Sequence, residues 1–289
     1  MKLLKKILPP EFNLFCMGDA HEGTVLFYRN GFEEFIDMVQ SPMFDLPAHR
    51  NFVVDHGDGI EAITVDDKRF DLKTTDKKRG TPFLQADKQC ERLKPIRKKI
   101  LCKLQGNHEA ALMKFSDLAE YMCDKLMIPY GTAAAKITYV RVHNKKEQLM
   151  FKHFCTHGRK SITSTADDPL RRRVNMELIL KRHLKFKAGD CLLMTKGHTH
   201  KLLTCFPDRE LYLTDDGDRI IQQYTSSEHT DEYVHPDHRY YANTGSFLKL
   251  YGDGVSGYAE RFEYDPVELG FIVVLVRDMK IVDMRKIVL

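Results

Sequence analysis

Five short polar clusters constrain this chain more than any other feature: Asp19-Ala20-His21, Gly57-Asp58, Gly106-Asn107-His108-Glu109, His157-Gly158 and Gly197-His198-Thr199-His200. Four of them follow directly on apolar, β-prone runs, and all five are expected to present metal-type side chains from strand ends. Asp19 and His21 are two residues apart after the apolar stretch 12–17, so in extended backbone their side chains leave from one face. Asp58 ends the run 51–57, with a glycine on either side to permit close approach of backbone and ions. Asn107 follows the run 99–106, His157 the run 149–156, and His198 and His200 the run 191–195. Strand ends are rigid mounts for a preorganised site.

The chemistry such a set can perform follows from the donor types. Two divalent cations held about 3.5–4 Å apart need carboxylate oxygens and imidazole nitrogens, with one anionic ligand shared between them to offset their repulsion. Each cluster taken singly also has a structural reading. A lone histidine at a strand end is more often a hydrogen-bonded residue than a ligand, Asp19 could cap a turn before Glu22-Gly23, and Asn107 could cap a helix through Glu109-Ala110-Ala111. The case for metal is therefore collective.

In this order, D-x-H, G-D, G-N-H-E, H-G and G-H-T-H resemble the motifs of calcineurin-like metallophosphoesterases. The resemblance implies Asp19, His21, Asp58 and His200 around one metal and Asp58, Asn107, His157 and His198 around the other, with Asp58 as the bridge. His108 is then not a ligand; it contacts a phosphoryl oxygen or protonates the leaving alkoxide, and Glu109 or another nearby carboxylate orients its ring. The implied nucleophile is a hydroxide bridging the ions, attacking phosphorus in line. By the same resemblance Mn²⁺ is the first choice of ion, with Fe, Zn, Ni or Mg as alternatives. Where the family pattern has an apolar pair and Asp after G-D, this chain reads Gly59-Ile60-Glu61, so Glu61 takes an orienting role. Arg159 and Lys160 follow His157-Gly158 and are expected, with Asn107 and His108, to bind substrate phosphate. Asn243-Thr244-Gly245-Ser246 resembles the N-x-G-S turn found after G-H-x-H.

Composition narrows the class. At 289 residues the chain can bury a substantial core, and no linker divides the motifs, so a single domain over 1–289 is expected. A net charge of +4 argues against a nucleic-acid coat. Cys16, Cys102, Cys155 and Cys191, four of seven cysteines, sit in apolar runs and read as reduced core residues. No C-x-x-C pair suggests a zinc ribbon, the start is too short in apolar residues for a secretion signal, and no segment is long enough to span a bilayer. These features predict a cytoplasmic enzyme with no membrane partner and leave the oligomeric state open.

Apolar periodicity predicts helices over 31–39, 83–98, 116–126 with Ser116 as N-cap, and 169–183, where Arg171-Arg172-Arg173 require a compensating anion such as Asp167-Asp168. Strands are predicted at 201–206, 210–214, 219–224, 240–243, 258–264, 271–276 and 280–287, the last two as a hairpin across Arg277-Asp278-Met279. The pattern suggests an α/β fold of two mixed sheets packed face to face with helices outside, which is also the four-layer α-β-β-α sandwich of the resembled family. Polar stretches at 66–82 and 226–239 read as surface insertions.

Three functions from different classes fit. A two-metal phosphodiesterase or nuclease acting on a nucleotide or nucleic acid is the first, motivated by Arg159, Lys160 and the basic stretch 94–103. A phosphomonoesterase, including a protein phosphatase, is the second, although the arginine that follows G-D in phosphoprotein phosphatases is missing here. The third, a non-catalytic scaffold, should have lost ligands, whereas all seven positions and His108 are present.

Overall fold

Alternating apolar residues set up the centre of the molecule. The computed structural model describes residues 1–225 and 232–289. Numbered in chain order, its strands are β1 (Lys2–Ile7), β2 (Phe12–Met17), β3 (Asn51–Asp55), β4 (Ile100–Lys103), β5 (Ala134–His143), β6 (Lys146–Thr156) and β7 (Leu193–Lys196). The remainder are β8 (Leu202–Cys205), β9 (Leu211–Asp215), β10 (Ile220–Tyr224), β11 (Tyr240–Thr244), β12 (Gly270–Arg277) and β13 (Lys280–Val288). The helices are α1 (Arg29–Gln40), α2 (Pro82–Leu93), α3 (Asn107–Ala111), α4 (Leu118–Leu126), α5 (Pro169–Leu184) and α6 (Tyr258–Arg261).

Two large sheets result. One runs β13-β12-β2-β3-β4 and the other β1-β5-β6-β7-β11-β8; both mix parallel and antiparallel pairs, and β9 pairs with β10 in a separate hairpin. In β2 and β12 both faces are buried, and the two-residue period divides them. Phe12, Leu14 and Cys16, with Ile272, Val274 and Val276, join Ile137, Tyr139, Phe151 and Cys155 of the other sheet in one core. Phe15, Met17, Phe271 and Val273 point the other way, against Phe32 and Phe35 of α1, Cys90 and Leu93 of α2 and Met122 of α4. On the six-stranded sheet Leu180 and Leu184 of α5 pack on Phe154, Met194 and Tyr241. The architecture is mixed α/β, compatible with an α/β sandwich.

Local chemistry explains where elements depart from expectation. The helix predicted over 83–98 stops at Leu93 and continues as a 3₁₀ turn, Lys94–Lys99, because Pro95 has no N–H for an α-helical bond. α4 is capped by Asp117 rather than Ser116; the Asp117 Oδ1 accepts from the Glu120 N–H at 3.0 Å. The stretch 258–264 is not a strand: Tyr258 and Phe262 are spaced for one helical turn, and the Phe262 N–H donates to the Tyr258 carbonyl at 3.0 Å. Asp168 supplies the anion at the start of α5, accepting from the Arg171 N–H at 2.7 Å. The β12–β13 hairpin turns as expected, with Asp278 and Met279 both at positive φ.

Of the expected insertion at 226–239, residues 226–231 lie outside the described residues. The rest is held by Arg239, whose side chain is wholly buried. Its guanidinium donates to the carbonyls of Val234 at 2.8 Å, Lys185 at 2.9 Å, Gly189 at 3.1 Å and Ala188 at 3.3 Å. Three of these acceptors follow α5, where a cation also meets the negative end of the helix dipole. No helix among the described residues is long and apolar enough to cross a membrane.

Candidate metal centre

Strand direction gathers the clusters. β2, β3 and β4 are parallel neighbours in one sheet, and β6 and β7 are parallel neighbours in the other, so their C-terminal ends lie side by side. From these ends come Asp19 and His21, Asp58, Asn107 at the start of α3, His157, and His198 with His200. Hydrogen bonds join the two sheets here. The His198 N–H donates to Asp19 Oδ2 at 3.0 Å, and His157 Nδ1 donates to the His56 carbonyl at 2.8 Å.

The backbone is held in sparsely populated conformations at the same places. Asp19, His21, Asp58, His198 and His200 all have φ between 50° and 75°, a region most side chains avoid and that clusters at functional sites. Two glycines make the approach possible. A Cβ on Gly57, at φ 90°, would lie 2.5 Å from the Gly106 nitrogen, and one on Gly106 would lie 1.9 Å from Asp58 Oδ1.

Three sets of donor atoms form, each within 4.8 Å: Asp19, His21 and His200; His21, Asp58 and His108; and Asp58, His157 and His198. His21 Nε2 faces His200 Nε2 at 3.3 Å, and His200 Nε2 lies 3.4 Å from Asp19 Oδ1. On the other side Asp58 Oδ2 is 3.1 Å from His157 Nε2, and Asn107 Oδ1 is 2.9 Å from the same nitrogen. Asp19 Oδ1 is buried without a hydrogen-bond partner. An orphaned carboxylate oxygen facing converging ring nitrogens is a donor set that fits a divalent cation, so these buried groups can hold metal. Asp58 belongs to two of the three sets, which is the place a shared anion would occupy.

Opposite charges among the donors shift one another's proton affinity. Burial pushes the Asp58 carboxyl up, but His157 and His108 outweigh it and hold the group well below the usual range. Burial lowers His157, yet the Asp58 charge carries it to about 9, whereas burial and the neighbouring His157 take His198 down to about 4. A cation at these nitrogens competes with the proton on His157.

The supporting carboxylates divide the work. Glu61 Oε2 accepts from His21 Nδ1 at 2.7 Å, leaving Nε2 for the pocket. Glu109, one of the carboxylates considered for orienting the His108 ring, uses both its oxygens on backbone N–H groups instead. As the third residue of α3 it folds back to the helix start, accepting from the N–H groups of Gly106 at 3.0 Å, Asp58 at 3.1 Å and Gly59 at 2.8 Å. Burial, then the Asp58 charge, raises its carboxyl to about 7. Glu109 is thus a positioning residue that pins the Gly57-Asp58 and Gly106-Asn107 loops together.

The chain matches no protein-family model and no curated protein.

His108 meets two other partners. Its Nδ1 donates to the Glu61 carbonyl, and its Nε2 faces Arg69 Nη1 at 3.1 Å. Arg69, which Asp67 holds through contacts of 3.1 and 2.8 Å, lines the main cavity of about 670 Å³ together with Asp58, Asn107, His108, His198 and His200. Sequence reading missed it because it lies in the polar stretch 66–82, eleven residues past Asp58, with no motif to mark it. Arg159 lines a smaller cavity of about 210 Å³ beside Asn107 and His157. Lys160 is exposed, lines neither cavity, and gives its carbonyl to the Lys196 ammonium at 2.8 Å.

Behind the donors lies a buried chain of polar contacts. Tyr139 Oη meets His153 Nδ1 at 3.2 Å, and Thr195 Oγ1 lies 2.6 Å from both His153 Nε2 and His56 Nε2. Burial lowers His56 to about 4. An unfolded histidine titrates near 6.5, so between about pH 6.5 and 4 the unfolded state takes up a proton that the folded state refuses. Stability from this group is intact above that window and falls as pH drops through it, by up to about 3 kcal/mol. Denaturant unfolding from pH 7 to 4.5 should therefore show a steeper acid loss in the wild type than in His56→Gln; equal slopes would remove His56 as the cause.

Proposed function

We propose that this chain is a two-metal phosphoesterase of the calcineurin-like metallophosphoesterase type, built as a four-layer α-β-β-α sandwich, and that it prefers phosphodiesters of nucleotide character. The observation that carries this reading is that Asp58 is shared between the donor set of His157 and His198 and that of His21 and His108, while His21 in turn joins Asp19 and His200 in a third. Asp19, His21, Asp58 and His200 would hold one cation and Asp58, Asn107, His157 and His198 the second. When bound, the pair would acidify water and offset charge gathering on the phosphoryl oxygens. A cytoplasmic setting belongs to the same reading and is supported by seven cysteines that are all free and buried.

The protein's own residues supply orientation and a proton. With Nδ1 committed to the Glu61 carbonyl, His108 presents Nε2 to the cavity, where it can hand a proton to the leaving alkoxide. Burial lowers the affinity of this ring for a proton, but Asp58 and Glu61 more than offset that. A proton on Nε2 and the Arg69 contact exclude each other, because both would then be donors. Charging His108 therefore frees Arg69 for a phosphoryl oxygen, to which a guanidinium fork is matched.

The test is a turnover panel after chelation and after reloading with Mn²⁺. Bis-p-nitrophenyl phosphate should be hydrolysed faster than p-nitrophenyl phosphate, and chelator should abolish both activities. Monoester preference would favour a phosphatase, and silence on every ester with metal restored would defeat the proposal.

A further inference from the structure

The main cavity has a second wall made of rings. Tyr258, Phe262 and Tyr264 line it alongside the metal-type donors. Phe262 and Tyr264 are stacked, with centroids 6.2 Å apart and planes inclined by 29°, while Tyr258 meets Tyr264 edge-on at 6.4 Å. Phe262 is 66% exposed and Tyr264 51%. The chain treats its other large ring cluster differently: Phe15, Phe32, Phe35, Phe247 and Phe271 are all fully buried. Exposed rings at a polar cavity mark a contact surface rather than core.

This wall is also held in place. The Tyr264 N–H donates to the Ala259 carbonyl at 2.9 Å, and Ala259 is buried against Leu26, Leu248 and Leu250. Arg261 pairs with Asp71, tying the ring segment to the stretch that carries Arg69. A flat, pre-positioned apolar face beside a phosphate-type site suits a nucleobase, since every base has a π-face.

We propose, resting on the phosphoesterase reading, that the Phe262–Tyr264 face stacks the base of a nucleotide whose phosphate lies at the donor groups, and that the substrate is a single nucleotide unit rather than a polymer. Charge separates these two cases. Arg69 and Lys201 line the cavity where one phosphate would sit, whereas Glu263 and Asp265 flank the rings and would repel the next phosphate of a strand. A cavity of about 670 Å³ is of the size that encloses a small organic ligand.

Equilibrium dialysis of Mn²⁺-loaded protein against AMP and ribose 5-phosphate, which lacks only the base, tests this through affinity rather than turnover, with chromatography of both compartments to show that each ligand is still intact. AMP should bind about 5- to 150-fold more tightly, the range of one base–ring stack. Phe262→Ala and the bulk-preserving Phe262→Leu should each close most of that gap and leave ribose 5-phosphate unchanged. Equal affinity, no binding of either ligand, or a gap that survives both variants would overturn the base site. An oligothymidylate bound more tightly than the mononucleotide would overturn the single-unit assignment. Failure to hydrolyse bis-p-nitrophenyl phosphate with the AMP gap intact would sink the phosphoesterase reading and leave the base site standing.

Discussion

Asp58→Asn should lose metal from both cation positions and lower turnover by roughly 10³-fold or more, since each ion contributes several kcal/mol to stabilising charge in phosphoryl transfer. The exchange is nearly isosteric, and an amide oxygen can still accept the His108 N–H that Asp58 Oδ1 receives at 2.8 Å. What it removes is charge. Two dications about 3.5–4 Å apart repel by on the order of 15–20 kcal/mol at an effective dielectric of about 20, and the shared carboxylate is the group placed to counter this. Metal analysis after dialysis, beside kcat, reads the outcome. A variant that kept two tightly held ions would show that Asp58 does not bridge.

His108→Ala should behave in the opposite manner, keeping its metal and losing about 10²- to 10⁴-fold in turnover, the scale of a lost general acid. The loss should be greatest for alkyl esters, whose alkoxide needs a proton, and smallest for p-nitrophenyl esters, whose leaving group does not. An unchanged rate on a poor leaving group would exclude proton donation, and metal loss would make His108 a ligand of the set it shares with His21 and Asp58.

How much of this was readable beforehand depended on the range of the interaction. The clusters at Asp19, Asp58, Asn107, His157 and His198 could be placed at strand ends because four of the five follow directly on an apolar run, a local signal. Glu61 was legible for the same reason, lying three residues from Asp58. Arg69 was not, because its arrival at His108 depends on how the stretch 66–82 folds across the cavity. Sequence leaves open whether Glu109 or another carboxylate orients His108; the spacing of Glu109 from Gly106 favours a bond back to the helix start, which is where its carboxylate goes. The ring wall is hidden by its period, since 258–264 reads as a strand by composition whereas Tyr258 and Phe262 sit one helical turn apart. Arg239 carries no sequence signal either, as its four carbonyl partners come from two segments distant in sequence, the one that follows α5 and the one at Val234.

Asp19, His21, Asp58 and Asn107 follow strands of one sheet, and His157, His198 and His200 follow strands of the other. An ion gripping members of both groups would act as a rivet through the molecule, holding only while the halves stay in register. Occupancy at a hundredfold excess over Kd would then add about 2.7 kcal/mol to global unfolding, and any opening of the interface between the sheets would release the ion.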